Sequence, residues 1–218
     1  MSTNDDYLID DDDELKGESA RSYTPAPAGS HIARCVSIVF LGTQPQEYMG
    51  VEKAPRKEIE FKWELPYEMQ TFNSDKGEQP FMVSKIYTIV CGEKTNWSKD
   101  MNAWTGTVID ENFKPLSMLG KPCNITVEQK ESKNGKKSSK VVAVTGLPKG
   151  TTCPDRINEL KLLTFGHWDE AIFQEQSEWI REKKIAMSPE YKRMNRALVP
   201  GNKEGKFQHE LKDDLSNM

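Results

Sequence analysis

The sequence is poor in the residues that carry most enzymatic chemistry. Histidine occurs only at positions 31, 167 and 209, never beside another histidine or a cysteine at metal-ligand spacing. The four cysteines, Cys35, Cys91, Cys123 and Cys153, are far apart and form no CxxC pair, so no structural zinc site is expected. No phosphate-cradling GxxxxGK loop, no GxSxG elbow and no HExxH helix occurs. No carboxylate pair or Cys/His constellation suggests catalysis, so no enzyme, metal or cofactor is expected. Long apolar runs are also missing, which leaves no membrane-spanning segment. The N-terminus is acidic and lacks an apolar stretch, so no signal peptide is expected. The thiols are then expected to be reduced, buried, small apolar residues in a cytoplasm. Apolar residues make up 36% of the chain. Mean hydropathy is -0.72. That is too polar for 218 residues of compact fold, so part of the chain is expected to be disordered.

What is abundant is charge, and it is unevenly placed. The net charge of -4 argues at first against a polyanionic partner. Residues 1–21, however, hold eight carboxylates against Lys16 and Arg21, a charge of -6, which leaves +2 for the other 197 residues. The body is mildly basic and the acidity is an appendage. Asp10 to Asp13 read as a solvated interaction segment rather than a metal site. With its Pro/Ala/Gly-rich continuation, 1–29 reads as a disordered acidic tail and linker.

From His31 the pattern becomes that of a β protein. Residues 31–42, 58–65, 80–91, 122–130 and 139–146 read as strands. The second is the clearest. Ile59, Phe61, Trp63 and Leu65 take one face, and Glu58, Glu60, Lys62 and Glu64 the other, the period of a half-buried antiparallel strand. Residues 43–57, with two prolines and a glycine, read as a loop. Trp97, Met101 and Trp104 lie on one helical stripe over 96–105, with Asn96 as the expected cap and Gly106 as the stop. A short turn is expected at 113–119, and a hairpin turn at Asn134-Gly135. Three strands, a helix and two strands give the connectivity of a five-stranded antiparallel OB-type barrel over 30–149. A helical C-terminal extension follows over 150–198, with helices at 156–164, at 175–186 and after Ser188-Pro189. Its Ile157, Leu160, Leu163, Trp179, Ile180 and Ile185 are expected to pack against the barrel or a second protomer. Residues 199–218 read as a polar tail.

Several ordered stretches resemble a family of tailed-bacteriophage single-stranded DNA-binding proteins. They are Ala33-Arg34-Cys35-Val36 with Leu41-Gly42-Thr43-Gln44, Trp63-Glu64-Leu65, Val83-Ser84-Lys85 and Tyr87-Thr88. Glu93-Lys94-Thr95-Asn96, Lys99-Asp100, Trp104 and Leu119-Gly120-Lys121-Pro122-Cys123 follow. The last are Glu178 to Lys183 and Ser188-Pro189-Glu190-Tyr191. The resemblance covers about His31 to Arg193 and excludes the acidic tail. It implies an OB-type accessory protein of phage replication or recombination, located in the host cytoplasm and without catalytic residues.

Single-strand binding needs cations that follow phosphates and aromatic faces that stack on bases. The cationic candidates are Arg34, Lys62, Lys85, Lys94, Lys99, Lys130, Lys133, Lys136, Lys137 and Lys140. Any one of them alone reads rather as a solvated surface charge. The cluster from Lys133 to Lys140 stands out because it falls on the loop between the fourth and fifth expected strands, a usual ligand loop of OB folds. Tyr87 shares a strand face with Lys85 and is either a stacking residue or core. Trp97 is undecided in the same way, whereas Trp63 and Trp104 read as core. Tyr67 and Phe72 lie in the loop between strands two and three. RNA remains an alternative ligand, because stacking and phosphate contacts do not distinguish the sugars. A protein-interaction or structural module on a barrel scaffold is the alternative function, and the acidic tail is a candidate docking segment for replication or recombination proteins.

Overall fold

The computed structural model describes residues 24–198 except 74, 76, 133, 134 and 136. The acidic stretch up to residue 23, the polar tail from 199, Lys133, Lys136 and the Asn134 half of the expected turn lie outside the described residues.

Five antiparallel strands form a nearly closed, OB-like barrel. They are β1 (Gly29–Tyr48), β2 (Val51–Asn73), β3 (Gly77–Thr88), β4 (Pro122–Glu131) and β5 (Lys137–Thr145). Their order in the sheet is β3-β2-β1-β4-β5. Between the outer strands, Lys85 Nζ of β3 lies 3.5 Å from the Val142 carbonyl of β5. The period-two face of β2 fills the interior, with Ile59, Phe61, Trp63 and Leu65 all fully buried. Helix α1 (Asn96–Thr105) connects β3 to β4 and seals one end with Trp97, Met101 and Trp104. The Trp104 indole donates to the Pro122 carbonyl at 2.8 Å, so a polar atom entering the core is satisfied. Thr95, not Asn96, caps the helix, accepting from the Ser98 amide, and Gly106 ends it at φ 74° as expected.

The expected loop at 43–57 is largely strand. β1 and β2 continue as a ribbon joined at Met49-Gly50, where φ is 52° and 75°, the left-handed pair of a tight hairpin turn. Pro45 and Pro55 are tolerated because both fall in the irregularity between the Gln44–Arg56 and Gln46–Lys53 pairs. At the other end of the barrel the expected free linker is partly packed. Ala26 is buried in the core, and its carbonyl accepts from Gln129 Nε2 at 2.9 Å and Ser139 Oγ at 3.2 Å.

Beyond the barrel the chain folds back over the outer face of β1 and β2. The helix expected at 156–164 is absent. Residues 161–163 instead form β6, which pairs in parallel with Ser37 to Val39 of β1. β4 begins opposite Arg34, which leaves the β1 edge beyond it without a partner, and β6 supplies the missing hydrogen bonds. Next come α2 (Glu170–Gln174), a π-helical turn (Trp179–Lys184), a 3-10 turn (Ile185–Met187) and α3 (Pro189–Leu198). A bulge between Cys35 and Ser37 lets β1 serve two cores. Ile38 and Phe40 point into the barrel, while Val39 and Leu41 meet Leu163, Phe173, Ile180 and Ile185 of the extension. Of the six residues expected to pack there, Leu163, Ile180 and Ile185 are buried, but Ile157, Leu160 and Trp179 are exposed. The first two lose their place because 156–160 is irregular, bending at Ile157 and Asn158, rather than helical.

The polar face of β2 is therefore not solvated. Glu64 is fully buried and accepts hydrogen bonds from the Ile157 and Asn158 amides and from Asn158 Nδ2, at 2.8–3.0 Å. Glu58 pairs with Lys184 at 2.7 Å. Glu190 takes the Thr43 amide at 2.9 Å and its hydroxyl at 2.5 Å. Burial pushes the Glu190 carboxyl up, but the two Thr43 donors, its own backbone amide and the Arg193 charge together hold the pKa below its ordinary value. Ser188 caps α3 by accepting from the Tyr191 amide at 3.1 Å. Gly42 makes this docking fit. Its φ is +79°, and a Cβ there would lie 2.5 Å from Ser188 Cβ. Gly42→Ala is expected to destabilise the protein by about 2 kcal/mol or more through combined strain and overpacking. A urea midpoint equal to that of the parent would contradict the close approach of Ser188.

Candidate nucleic-acid interface

The structure divides the expected binding residues into two sets. Arg34, Lys62 and Lys85 are half-buried and engaged in contacts within the fold, and Tyr87 and Trp97, open between stacking and core in the sequence, are buried in the core. The Arg34 guanidinium donates to the carbonyls of Gly120 at 2.9 Å and Pro154 at 2.6 Å, clamping the chain leaving β5 to the entrance of β4. Lys62 Nζ donates to Gln176 Oε1 at 2.6 Å and lies 3.4 Å from Glu60, beneath the extension. Lys85 Nζ and Tyr87 Oη both donate to Asp100 Oδ2 of α1, at 2.5 and 2.7 Å. Burial, and then the Asp100 charge, raise the Tyr87 pKa far above its ordinary value and keep the phenol protonated. Trp97 packs against Phe61, Tyr87 and Phe113.

The second set is free. Lys94 and Lys99 are exposed, just before and within α1. Lys130, Lys137 and Lys140 are exposed on the β4–β5 hairpin. Among the described residues none of these five forms an ion pair. Strand register distributes the hairpin lysines over both faces. Lys140 lies opposite Glu128 and Lys130 opposite Ser138, on the outer face, whereas Lys137 lies opposite Glu131 on the other. The hairpin is thus a cationic projection rather than one flat patch.

Strand directions bring the β2–β3 and β4–β5 tips to the same end of the barrel, away from α1. At that end Tyr67 and Phe72 are exposed, but on the extended end of β2 rather than in the expected loop, and Phe72 makes an edge contact with Phe81 at 5.0 Å between centroids. At the opposite end the β1–β2 ribbon carries Lys53 and Arg56 in exposed positions and Lys57 half-buried at its base. Sequence reasoning overlooked these three because it took the ribbon for a loop. The Met49-Gly50 turn between two charged, alternating arms was the signal for it.

The β2–β3 surface that OB folds commonly offer to ligands is partly closed here. The extension lies over β2, leaving Met82 and Ser84 of β3 as the exposed outward positions. Of the cysteines, Cys35 and Cys123 are buried, whereas Cys91 is exposed, contrary to expectation. Burial raises the pKa of the Cys123 thiol well above its ordinary value. No helix among the described residues is long and apolar enough to cross a membrane. Compared with known proteins, the chain matches no family model and no curated relative.

Proposed function

We propose that this protein is a non-catalytic, sequence-tolerant binder of single-stranded DNA that protects or organises the strand during phage replication or recombination. The observation that carries this reading is the β4–β5 hairpin of an OB-like barrel, with Lys130, Lys137 and Lys140 exposed and unpaired among the described residues. Arg34, Lys62 and Lys85 are used on internal contacts and Lys94 and Lys99 lie toward the α1 end, so three free lysines on one ligand-loop hairpin are the natural phosphate contacts. The resemblance to phage single-strand binders supports the same reading. Partner replication or recombination proteins are assigned to the acidic N-terminal stretch. The attachment of that stretch at Ala26 lies against Gln129 and Ser139 of the same hairpin.

Fluorescence anisotropy with labelled single-stranded DNA, duplex and single-stranded RNA tests the proposal. Single strands are expected to bind more tightly than duplex. Replacing Lys130, Lys137 and Lys140 together by alanine is expected to weaken binding about tenfold or more at low salt. It should also reduce the slope of log K against log salt by about 2, since each phosphate neutralised on a single strand contributes roughly 0.7. A parent protein that binds no single strand at low salt overturns the proposal and leaves the barrel as a protein-interaction scaffold.

A further inference from the structure

We infer that the C-terminal segment builds a second single-strand contact surface, with Trp179 as a base-stacking residue and the surrounding cations as phosphate contacts. This rests on the function proposed above and adds a site to it. The first observation is exposure. Trp63, Trp97 and Trp104 are at most 6% exposed, whereas Trp179 is 52% exposed. The indole is not carried on a free loop. The next residue, Ile180, is 4% exposed and sits among Val39, Leu41 and Ile185, so the π-helical turn is anchored immediately beside the exposed ring.

The second observation is how the ring is held. Lys184 Nζ lies 5.4 Å from the Trp179 ring centroid and 2.7 Å from Glu58 Oε2. One ammonium therefore bridges the indole and a carboxylate at the base of the β1–β2 ribbon, tying the ring to the barrel. A pre-positioned indole loses little side-chain freedom on stacking, which favours its use as a binding surface.

The third observation is charge. The outward face of β2 offers Glu58, Glu60 and Glu64, which would repel a phosphate chain if bare. The extension buries all three. In their place residues 178–196 carry six cations against three carboxylates. Lys184 is used on Glu58, and Glu190 is used on Thr43, so two of those charges are committed internally. Lys183, Lys192, Arg193 and Arg196 are exposed. Covering the acidic face with this segment turns the flank of the barrel into a mildly basic surface with an aromatic face in it, the combination that binds unpaired nucleotides. Arginine suits this role particularly, since its planar fork both pairs with phosphate and stacks on bases.

The test uses the full chain and an oligothymidine of about 15 nucleotides, within the site size of one or two such barrels. Tryptophan emission and anisotropy are followed together. Saturating oligothymidine is expected to quench the emission of the parent. Trp179→Phe is expected to lose most of that quenching yet bind within about threefold of the parent, because the phenyl ring still stacks. Trp179→Ala is expected to bind about 5- to 100-fold more weakly, with an unchanged circular dichroism spectrum. If the parent binds and Trp179→Ala binds equally well, this inference fails and the proposed function stands. The same holds if quenching persists in Trp179→Phe, or if Trp179→Ala changes only self-association on a sizing column. If the parent binds no oligonucleotide, both fail together.

Discussion

Replacing Asp100 by alanine is expected to lower the unfolding free energy by about 3–5 kcal/mol, as when one member of a buried ion pair is removed. Asp100 is 7% exposed and accepts from two buried donors, the Lys85 ammonium at 2.5 Å and the Tyr87 hydroxyl at 2.7 Å. Without it the lysine keeps only the Val142 carbonyl at 3.5 Å, and the phenol keeps no partner. Both then carry their desolvation cost without compensation. The melting temperature should fall by on the order of 10 °C. The double variant Lys85→Met/Asp100→Leu should recover much of the loss, because a buried pair is replaced by apolar side chains rather than broken. Urea unfolding of the three proteins checks this. A single variant as stable as the parent would mean that Lys85 reaches solvent and is again a candidate for phosphate contact.

That pair shows where the sequence was legible and where it was not. The β2 strand declared itself because its apolar residues follow a local period, and α1 did so through the Trp97, Met101 and Trp104 stripe. Gly106, at φ 74°, was legible as a stop because only glycine takes that conformation without strain. The role of Lys85 was not legible. On β3 it shares the core face with Phe81, Val83 and Tyr87, and its partner lies 15 residues away on a helix, a separation that no periodicity reports. The outer face of β2 misled for the same reason. Glu58, Glu60, Lys62 and Glu64 look like a solvated face, and only the fold-back of a segment that meets Glu64 93 residues later and Glu58 126 residues later buries them. Residues 156–164 carry apolar spacings that suit a helix. The unpaired β1 edge instead takes 161–163 as a strand and the Glu64 carboxylate holds the Ile157–Asn158 bend, a tertiary override of local preference. For the candidate site, the hairpin lysines were legible from the turn and its charge. The ribbon cations and Trp179 were not, because both depend on chain pairings that lie outside any local window.

The largest effect is expected from ending the chain at Lys149, where the barrel pattern in the sequence stops. If the extension were an appendage, the shortened protein would fold and melt like the parent. The structure makes it a layer of the same fold. Val39 and Leu41, both fully buried, would lose Leu163, Phe173, Ile180 and Ile185 as neighbours. The β1 edge at Ser37 to Val39 would lose its β6 partner, and Arg34 would lose the Cys153 and Pro154 carbonyls. Glu64 would lose all three of its donors, although it would gain water, as would Glu58 and Glu60. Rehydrating the carboxylates is favourable, so electrostatics partly offset the apolar loss. The apolar term still dominates, since each large aliphatic or aromatic side chain returned to water costs about 1.5–3 kcal/mol, and two strand residues are exposed with them. The net loss should exceed about 4 kcal/mol, a large part of the 5–15 kcal/mol that holds a typical domain folded. The shortened chain is therefore expected to bind hydrophobic dye, to self-associate through its exposed β1 edge, and to lack a cooperative thermal transition near that of the parent. In the intact chain, Ile185→Ala should show the same layer at smaller scale, with a loss of about 2–4 kcal/mol from a fully buried site. A monomeric chain ending at Lys149 that melts at the parent temperature would show that the barrel is complete alone. The segment bearing Trp179 would then be an arm that could leave the β1–β2 face.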